Sequence, residues 1–237
     1  MCTLTYLPTP NGFILTHNRD ERMDRPTSKE FQQKKVGSQT LYYPEDLEAH
    51  GSWIAFSDTG KAACLLNGGS KTYERKVPYR KSRGLVVLES FEFGSVSEFH
   101  EEYDFSDIEP FTLLIKSNQE FCKITHDVDK TSLEFLDPAT THIWSSTTLY
   151  TKEVREKRKK WFEQWLSKKP DLNPDNIRAF HNSAGDGDTE NDLVMSRWGI
   201  LKTLSITQIS IENHTASLVY QDFVQSSGDK VSVNITA

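Results

Sequence analysis

The sequence predicts an α+β or layered αββα architecture rather than a Rossmann-type alternation. Strand patterns occupy both ends of the chain, helical patterns gather toward the middle, and short turns rich in Pro, Gly, Asn and Asp separate the strands.

Cys2 to Leu7 reads as a strand, Thr9-Pro10-Asn11-Gly12 as a turn and Phe13 to His17 as a second strand, because Pro and Gly stand where a hairpin needs special backbone angles. Residues 18–50 are polar and carry Pro26, Gly37 and Pro44, which predicts a long excursion with little regular structure. Ser52 to Ser57 and Lys61 to Leu66 form a hairpin about Asp58-Thr59-Gly60. A helix is predicted from Lys81 to about Phe93, and a shorter helical piece from Ser95 to Tyr103. Phe111 to Lys116, Phe121 to His126, Thr131 to Leu136 and His142 to Ser145 follow as an antiparallel meander.

Leu149 to Leu166 is the clearest helix, with Leu149, Val154, Trp161, Phe162 and Trp165 as apolar landmarks among Lys, Arg and Glu, and with Pro170 to close it. Asn173 caps a further helix that has Pro174 at its first position and runs to about His181. Thr203 to Glu212 and Ala216 to Phe223 return to strands around Asn213-His214-Thr215. With neither a repeat nor a linker in view, the 237 residues are read as a single domain, 1–237.

Composition narrows the function. Charged residues make up 26% and hydrophobic ones 36%, a globular balance. The formal net charge of −6 argues against affinity for nucleic acid or an anionic membrane, since phosphate binding needs a basic surface. No window approaches the roughly 20 apolar residues of a membrane span, and no basic flank with an apolar run opens the chain, so a cytoplasmic protein is expected. Cys2, Cys64 and Cys122 are too scattered for a disulfide framework or a zinc site and are read as reduced thiols.

The residues that could carry chemistry begin at Met1-Cys2. Methionine aminopeptidase removes Met before a small side chain, and a mature chain starting at Cys2 would hold a thiol and a free α-amine on one residue. With an ordinary pKa of about 7.7–8.0, such an amine can act as a base toward its own nucleophile near neutral pH. Cys at position two is also a common accident, and Thr16-His17-Asn18-Arg19-Asp20-Glu21, leading to Arg25-Pro26, is what lifts the reading above it. At the end of a strand paired beside the first, Asn18 and Asp20 can return to the N-terminus, where a carboxylate would hold an ammonium or orient an amine.

The order Met-Cys, Asn-Arg-Asp-Glu, Arg-Pro resembles the NRDE family, also called the Transport and Golgi organisation 2 family, related to N-terminal-nucleophile (Ntn) hydrolases. The likeness extends to His50-Gly51-Ser52-Trp53, to Asn67, to Arg83-Gly84-Leu85-Val86, to Val194-Met195-Ser196-Arg197 and to Thr203-x-Ser205-x-Thr207. It implies a four-layer αββα Ntn sandwich in which Cys2 is the nucleophile, Asp20 stands beside the α-amine and Asn67 serves the oxyanion hole. A side-chain amide aimed at an oxyanion is worth about 2.7–4 kcal/mol in comparable sites; as a bare residue, Asn67 also suits a turn before Gly68-Gly69.

Two departures stand out. His17 occupies the place of an arginine in choloylglycine hydrolases and penicillin V acylases, with Arg19 between Asn18 and Asp20. Ser146, within Trp144-Ser145-Ser146-Thr147, stands where those enzymes carry a second Asn. Arg197 resembles a later arginine that closes such sites, and Trp53 is a pocket or core residue. Asn18, Arg19, Trp53, Ser146 and Arg197 are thus candidate substrate-binding residues.

Other signals are set aside. Asp186 to Asp192 imitates a calcium loop but has Asn191 where Gly is needed. The seven histidines lack metal-ligand spacing, and Lys152 to Lys160 is read as a solvated helix face. The favoured function is an amidohydrolase acting on non-peptide C–N bonds of a small molecule, without cofactor or metal. The rival is a non-catalytic protein of the same fold that binds and carries haem or a lipid or acyl-CoA, although no CxxCH motif is present. Oligomeric state is not legible.

Overall fold

The computed structural model describes residues 2–235. In chain order the elements are β1 (Cys2–Thr9), β2 (Gly12–Arg22), β3 (Gln32–Val36), β4 (Gln39–Tyr43), β5 (Ile54–Ser57) and β6 (Ala62–Asn67), then α1 (Arg83–Glu89) with a 3-10 turn (Ser90–Glu92) and α2 (Val96–Glu102). There follow β7 (Phe111–Lys116), β8 (Phe121–His126), β9 (Thr131–Phe135), β10 (His142–Ser145), α3 (Lys152–Ser167), α4 (Pro174–Ser183), β11 (Ser196–Arg197), β12 (Leu201–Glu212), β13 (Thr215–Asp222) and β14 (Ser227–Asn234). The chain divides into two compact units, one built from the first 25 residues with 139–234, the other chiefly from 26–138.

The first unit is an antiparallel sheet in the order β10-β1-β2-β12-β13-β14, with β11 paired to β12. Its helices bury one face. Leu7 and Ile14 on the sheet meet Phe162 of α3 and Ile177 and Phe180 of α4, with Leu193 completing the cluster. The α4 cap is the one the sequence predicts: the Asn173 side chain accepts from the Asn176 N–H at 2.9 Å, and Pro174 takes the first turn. α3 starts later than expected, because Thr151 caps it by accepting from the Val154 N–H, leaving Leu149 and Tyr150 outside the helix.

The second unit is an antiparallel sheet in the order β3 through β9, with α1 and α2 packed on it. Its core is apolar, formed by Leu41, Ala63, Leu65, Val87, Phe99, Phe111, Leu113, Ile115 and Ile124 among others. Two segments singled out in the sequence touch here. The Ser52 N–H donates to the Gly84 carbonyl at 3.0 Å. A Cβ on Gly51 would lie 2.3 Å from the Gly84 carbonyl carbon, so this backbone approach requires glycine.

Three expectations need correction. Residues 18–50 are not largely irregular: β2 continues to Arg22, and β3 and β4 form a hairpin paired from Gln32↔Tyr43 to Val36↔Gln39. The expected four-strand meander ends after three, because β10 joins the other sheet beside β1. Lys152 to Lys160 is not wholly solvated either, since Arg158 within it is 0% exposed. Among the described residues no helix is long and apolar enough to cross a membrane.

Candidate active site

Cys2 is the first residue of β1, and the pairing Cys2↔Arg19 with β2 puts its side chain on the same sheet face as those of Arg19 and His17. The thiol is free and buried. Its carbonyl accepts a hydrogen bond from the Ser146 N–H at 2.9 Å, so the segment after β10 is tied to the start of β1. Burial pushes the Cys2 thiol above its ordinary pKa; the nearby Asp20 charge adds to that rise, and a hydrogen bond with the Asp20 backbone opposes it.

Asp20, one residue past Arg19, points to the opposite face, toward the helices. It is fully buried, and each carboxylate oxygen receives a hydroxyl: Tyr150 donates to Oδ2 at 2.6 Å and Thr203 to Oδ1 at 2.6 Å. The Thr203 hydroxyl in turn accepts from the Met195 N–H at 2.9 Å. Thr203 reaches Asp20 because β12 pairs Thr203↔Asp20 just where a bulge shifts its register. Burial raises the Asp20 pKa, while the Arg158 guanidinium and the Thr203 and Tyr150 hydroxyls pull it back.

Arg158 lies behind this carboxylate. Its guanidinium stacks 3.6 Å from the centre of the Tyr150 ring, donates to the Asn191 carbonyl at 3.1 Å and the Asp192 carbonyl at 2.7 Å, and also donates to the Thr3 hydroxyl. Arg197 approaches the same ring at 5.2 Å while donating to the Leu149 and Glu190 carbonyls and to the Asn191 side chain. It braces the 190 segment against Tyr150.

Of the candidates in this unit, the structure brings Cys2, Arg19, Asp20 and Ser146 together at the joined ends of β1 and β2. The Arg19 side chain is buried and extends toward the Arg25 carbonyl. The Ser146 hydroxyl is hydrogen-bonded with Thr148 at 2.9 Å. Asn18 faces the helix side, where its amide donates to the Leu193 carbonyl at 2.8 Å and the His181 carbonyl at 3.2 Å and its oxygen accepts from His181 Nδ1. Since Nδ1 then carries the ring proton, Nε2 accepts from the Thr5 hydroxyl at 2.8 Å. The His181 pKa is pushed down to about 3 by burial and by the Arg158 charge, so the ring is neutral.

Asn67 and Trp53 belong to the second unit. Asn67 ends β6 opposite Phe111 and is half-buried. The Pro110 carbonyl beyond it accepts from the Gly68 N–H at 2.9 Å and from Arg83 at 3.2 Å, and Arg83 also pairs with Glu109 at 3.1 Å. Trp53 is buried just before β5, its carbonyl accepting from the Leu65 N–H at 2.8 Å.

Sequence reasoning missed Tyr150, Arg158 and His181. A signal for Arg158 existed: Val154, Arg158, Phe162 and Trp165 are spaced as one helical stripe, so a charge sits in an apolar position. Among the described residues no cluster of His, Cys, Asp and Glu could hold a metal ion.

The Cys-to-Ala mutant of the conjugated bile acid hydrolase from Clostridium perfringens superposes with a TM-score of 0.61 at 9% identity, covering 98% of this chain and 92% of that one. The N-acylethanolamine-hydrolyzing acid amidase ortholog of Caenorhabditis elegans superposes at 0.56 with 11% identity, covering 88% and 92%. An arginine-to-leucine variant of the Clostridium perfringens enzyme gives 0.56 and 11%, covering 97% and 92%. These are Ntn hydrolases, and the likeness shows their mixed fold of antiparallel sheets and few helices in this chain. A search of curated proteins returns no match. The Transport and Golgi organisation 2 profile matches residues 1–221, nearly the whole length, and the chain belongs to that family.

Proposed function

We propose that the protein is an Ntn-type amidohydrolase whose nucleophile is Cys2 after removal of Met1, acting on a non-peptide C–N bond of a small molecule. One observation carries this reading: a buried thiol at the first position of an inner strand, one residue along the partner strand from a carboxylate fixed by two hydroxyls. The hydrolases of matching fold support it.

The backbone nitrogen of Cys2 lies in the plane of the sheet, between the thiol on one face and Asp20 on the other. As a free α-amine it would take the thiol proton, and Asp20 would stabilise the resulting ammonium. A thiol whose pKa is raised by burial stays protonated until such a base is at hand. The thiolate would attack the carbonyl carbon, backbone N–H groups would stabilise the oxyanion, and the ammonium would protonate the leaving amine. Water would then cleave the thioester and restore the thiol. Arg19, Ser146 and Arg197 remain candidates for shaping the substrate site, whereas the Asn18 amide is committed to His181 and Leu193.

The test is intact mass before and after brief iodoacetamide treatment at neutral pH, with the modified cysteine mapped. The expected outcome is loss of Met1 and alkylation of Cys2 well ahead of Cys64 and Cys122. Retained Met1 or an inert Cys2 would overturn the hydrolase reading in favour of a haem or lipid carrier.

A further inference from the structure

Arg158 is a cation in the wrong place for an ordinary surface helix. It is 0% exposed, and a guanidinium is a cation with donors only and no acceptor. Its hydrogen bonds to Thr3, Asn191 and Asp192 all end on neutral oxygens. A buried cation requires a compensating anion, and among the described residues of this unit Asp20 is the fully buried carboxylate. Tyr150 stands between them, its ring under the guanidinium at 3.6 Å and its hydroxyl on Asp20 at 2.6 Å. A cation over the ring polarises the phenol O–H and strengthens its donation to the carboxylate.

We propose that Tyr150 and Arg158 are positioning residues for the nucleophile, holding the Asp20 carboxylate ionised and in a single orientation so that it can receive the ammonium formed on Cys2. The inference deepens the hydrolase reading and rests on it. Its members come from four segments: β1 gives Cys2 and Thr3, β2 gives Asp20, the turn before α3 gives Tyr150, and α3 gives Arg158. The other charged and titratable groups around this centre differ from Asp20 in charge or in place. His181 on α4 is neutral, Arg197 on β11 reaches the Tyr150 ring without contacting Asp20, and Arg19 and Glu21 lie on the opposite face of β2. Thr203 supplies the second hydroxyl on Asp20 and gives an independent way to disturb it.

The direction of the effect follows from charge. Removing a donor from an ionised carboxylate raises its pKa, so the ammonium on Cys2 loses its partner at a higher pH. The experiment is the pH dependence of Cys2 alkylation by iodoacetamide in the Met1-processed protein, comparing wild type with Y150F, T203V, R158K, R158M and D20N. Y150F and T203V should each move the acid limb upward by about one pH unit, the size expected for one charge-assisted hydrogen bond. R158K, which keeps the charge, should move it less than R158M. Cys64 and Cys122, both fully buried, report folding in the same digest, because a variant that unfolds exposes them to the reagent. If R158M unfolds, the conservative Y150F and T203V carry the test.

Profiles of Y150F and T203V that overlay wild type, with D20N slowed, would overturn the positioning role and leave the hydrolase reading standing. A D20N profile that overlays wild type would instead remove Asp20 from the mechanism.

Discussion

The two units bury different chemistry. The second packs α1 and α2 onto its sheet through Val87, Phe99, Leu113, Ile115 and their neighbours, and its buried carboxylates Asp46, Glu109 and Asp127, at 7%, 9% and 4% exposure, belong to loops outside the helices and strands. The first places Asp20, Arg158 and His181 at 0% exposure between sheet and helices, joined through Tyr150, Thr3, Thr5 and Asn18. An apolar core needs shape alone, and a buried polar network needs every donor and acceptor matched. The first unit accepts that stricter requirement at the end of the sheet where Cys2 lies, which is the pattern expected of a site rather than of a scaffold.

Substitutions can break this contrast. The largest effects should come from Arg158→Met in the first unit and Phe99→Ala in the second, each costing about 3–5 kcal/mol in denaturant melts. They should separate by pH. In Arg158→Met, Asp20 loses its cation and its folded pKa, already raised, climbs further above the unfolded value. A group raised in this way contributes most below its unfolded pKa and loses that contribution as pH rises through the folded one. The Arg158→Met penalty should therefore shrink in acid and grow above the ordinary carboxylate range, whereas the Phe99→Ala penalty should stay flat. Equal pH dependence for both would erase the distinction between the units.

Next in size is His181. With a folded pKa near 3 against an ordinary 6.5, the native state excludes a proton that the unfolded chain binds. Wild-type stability should fall as pH drops below about 6.5, by on the order of 2–3 kcal/mol at pH 4.5, and His181→Gln should lose less of its own stability over that interval. Gly51→Ala forces a methyl into the Gly84 backbone and should cost about 1–3 kcal/mol without changing the pH slope. Lys159→Ala should leave the melting midpoint unchanged, because its pair with Glu163 at 3.8 Å is more than half exposed on both sides.

The sequence shows which parts of the fold are legible and why. The hairpin at Thr9 to Gly12, the pair β5 and β6 and the capped α4 are carried by local chemistry: turn residues, alternation, an Asn cap before Pro. β3 and β14 escaped notice because both are edge strands, Gln32–Val36 and Ser227–Asn234, half or more exposed; β3 has no apolar alternation, and in β14 it is confined to Val231 and Val233. The sheet of β10 is invisible locally, since Ser145 meets Thr3 from 142 residues away. In the candidate site, the nearness of Asp20 to Cys2 follows from the hairpin that pairs β1 with β2. Tyr150 was absorbed into a helix that starts after it, and Arg158 was hidden in a run of like charges on α3.

The position of β1 between β2 and β10 also sets a schedule for biosynthesis. β2 follows within a few residues, but the Ser146 N–H that closes over the Cys2 carbonyl is made far later in the chain. At about 5–20 residues per second, a ribosome needs roughly seven to thirty seconds to cover that stretch. On the proposed mechanism, aminopeptidase has that interval to trim the nascent N-terminus before β10 docks, and a chain released untrimmed would complete the sheet around an unprocessed start.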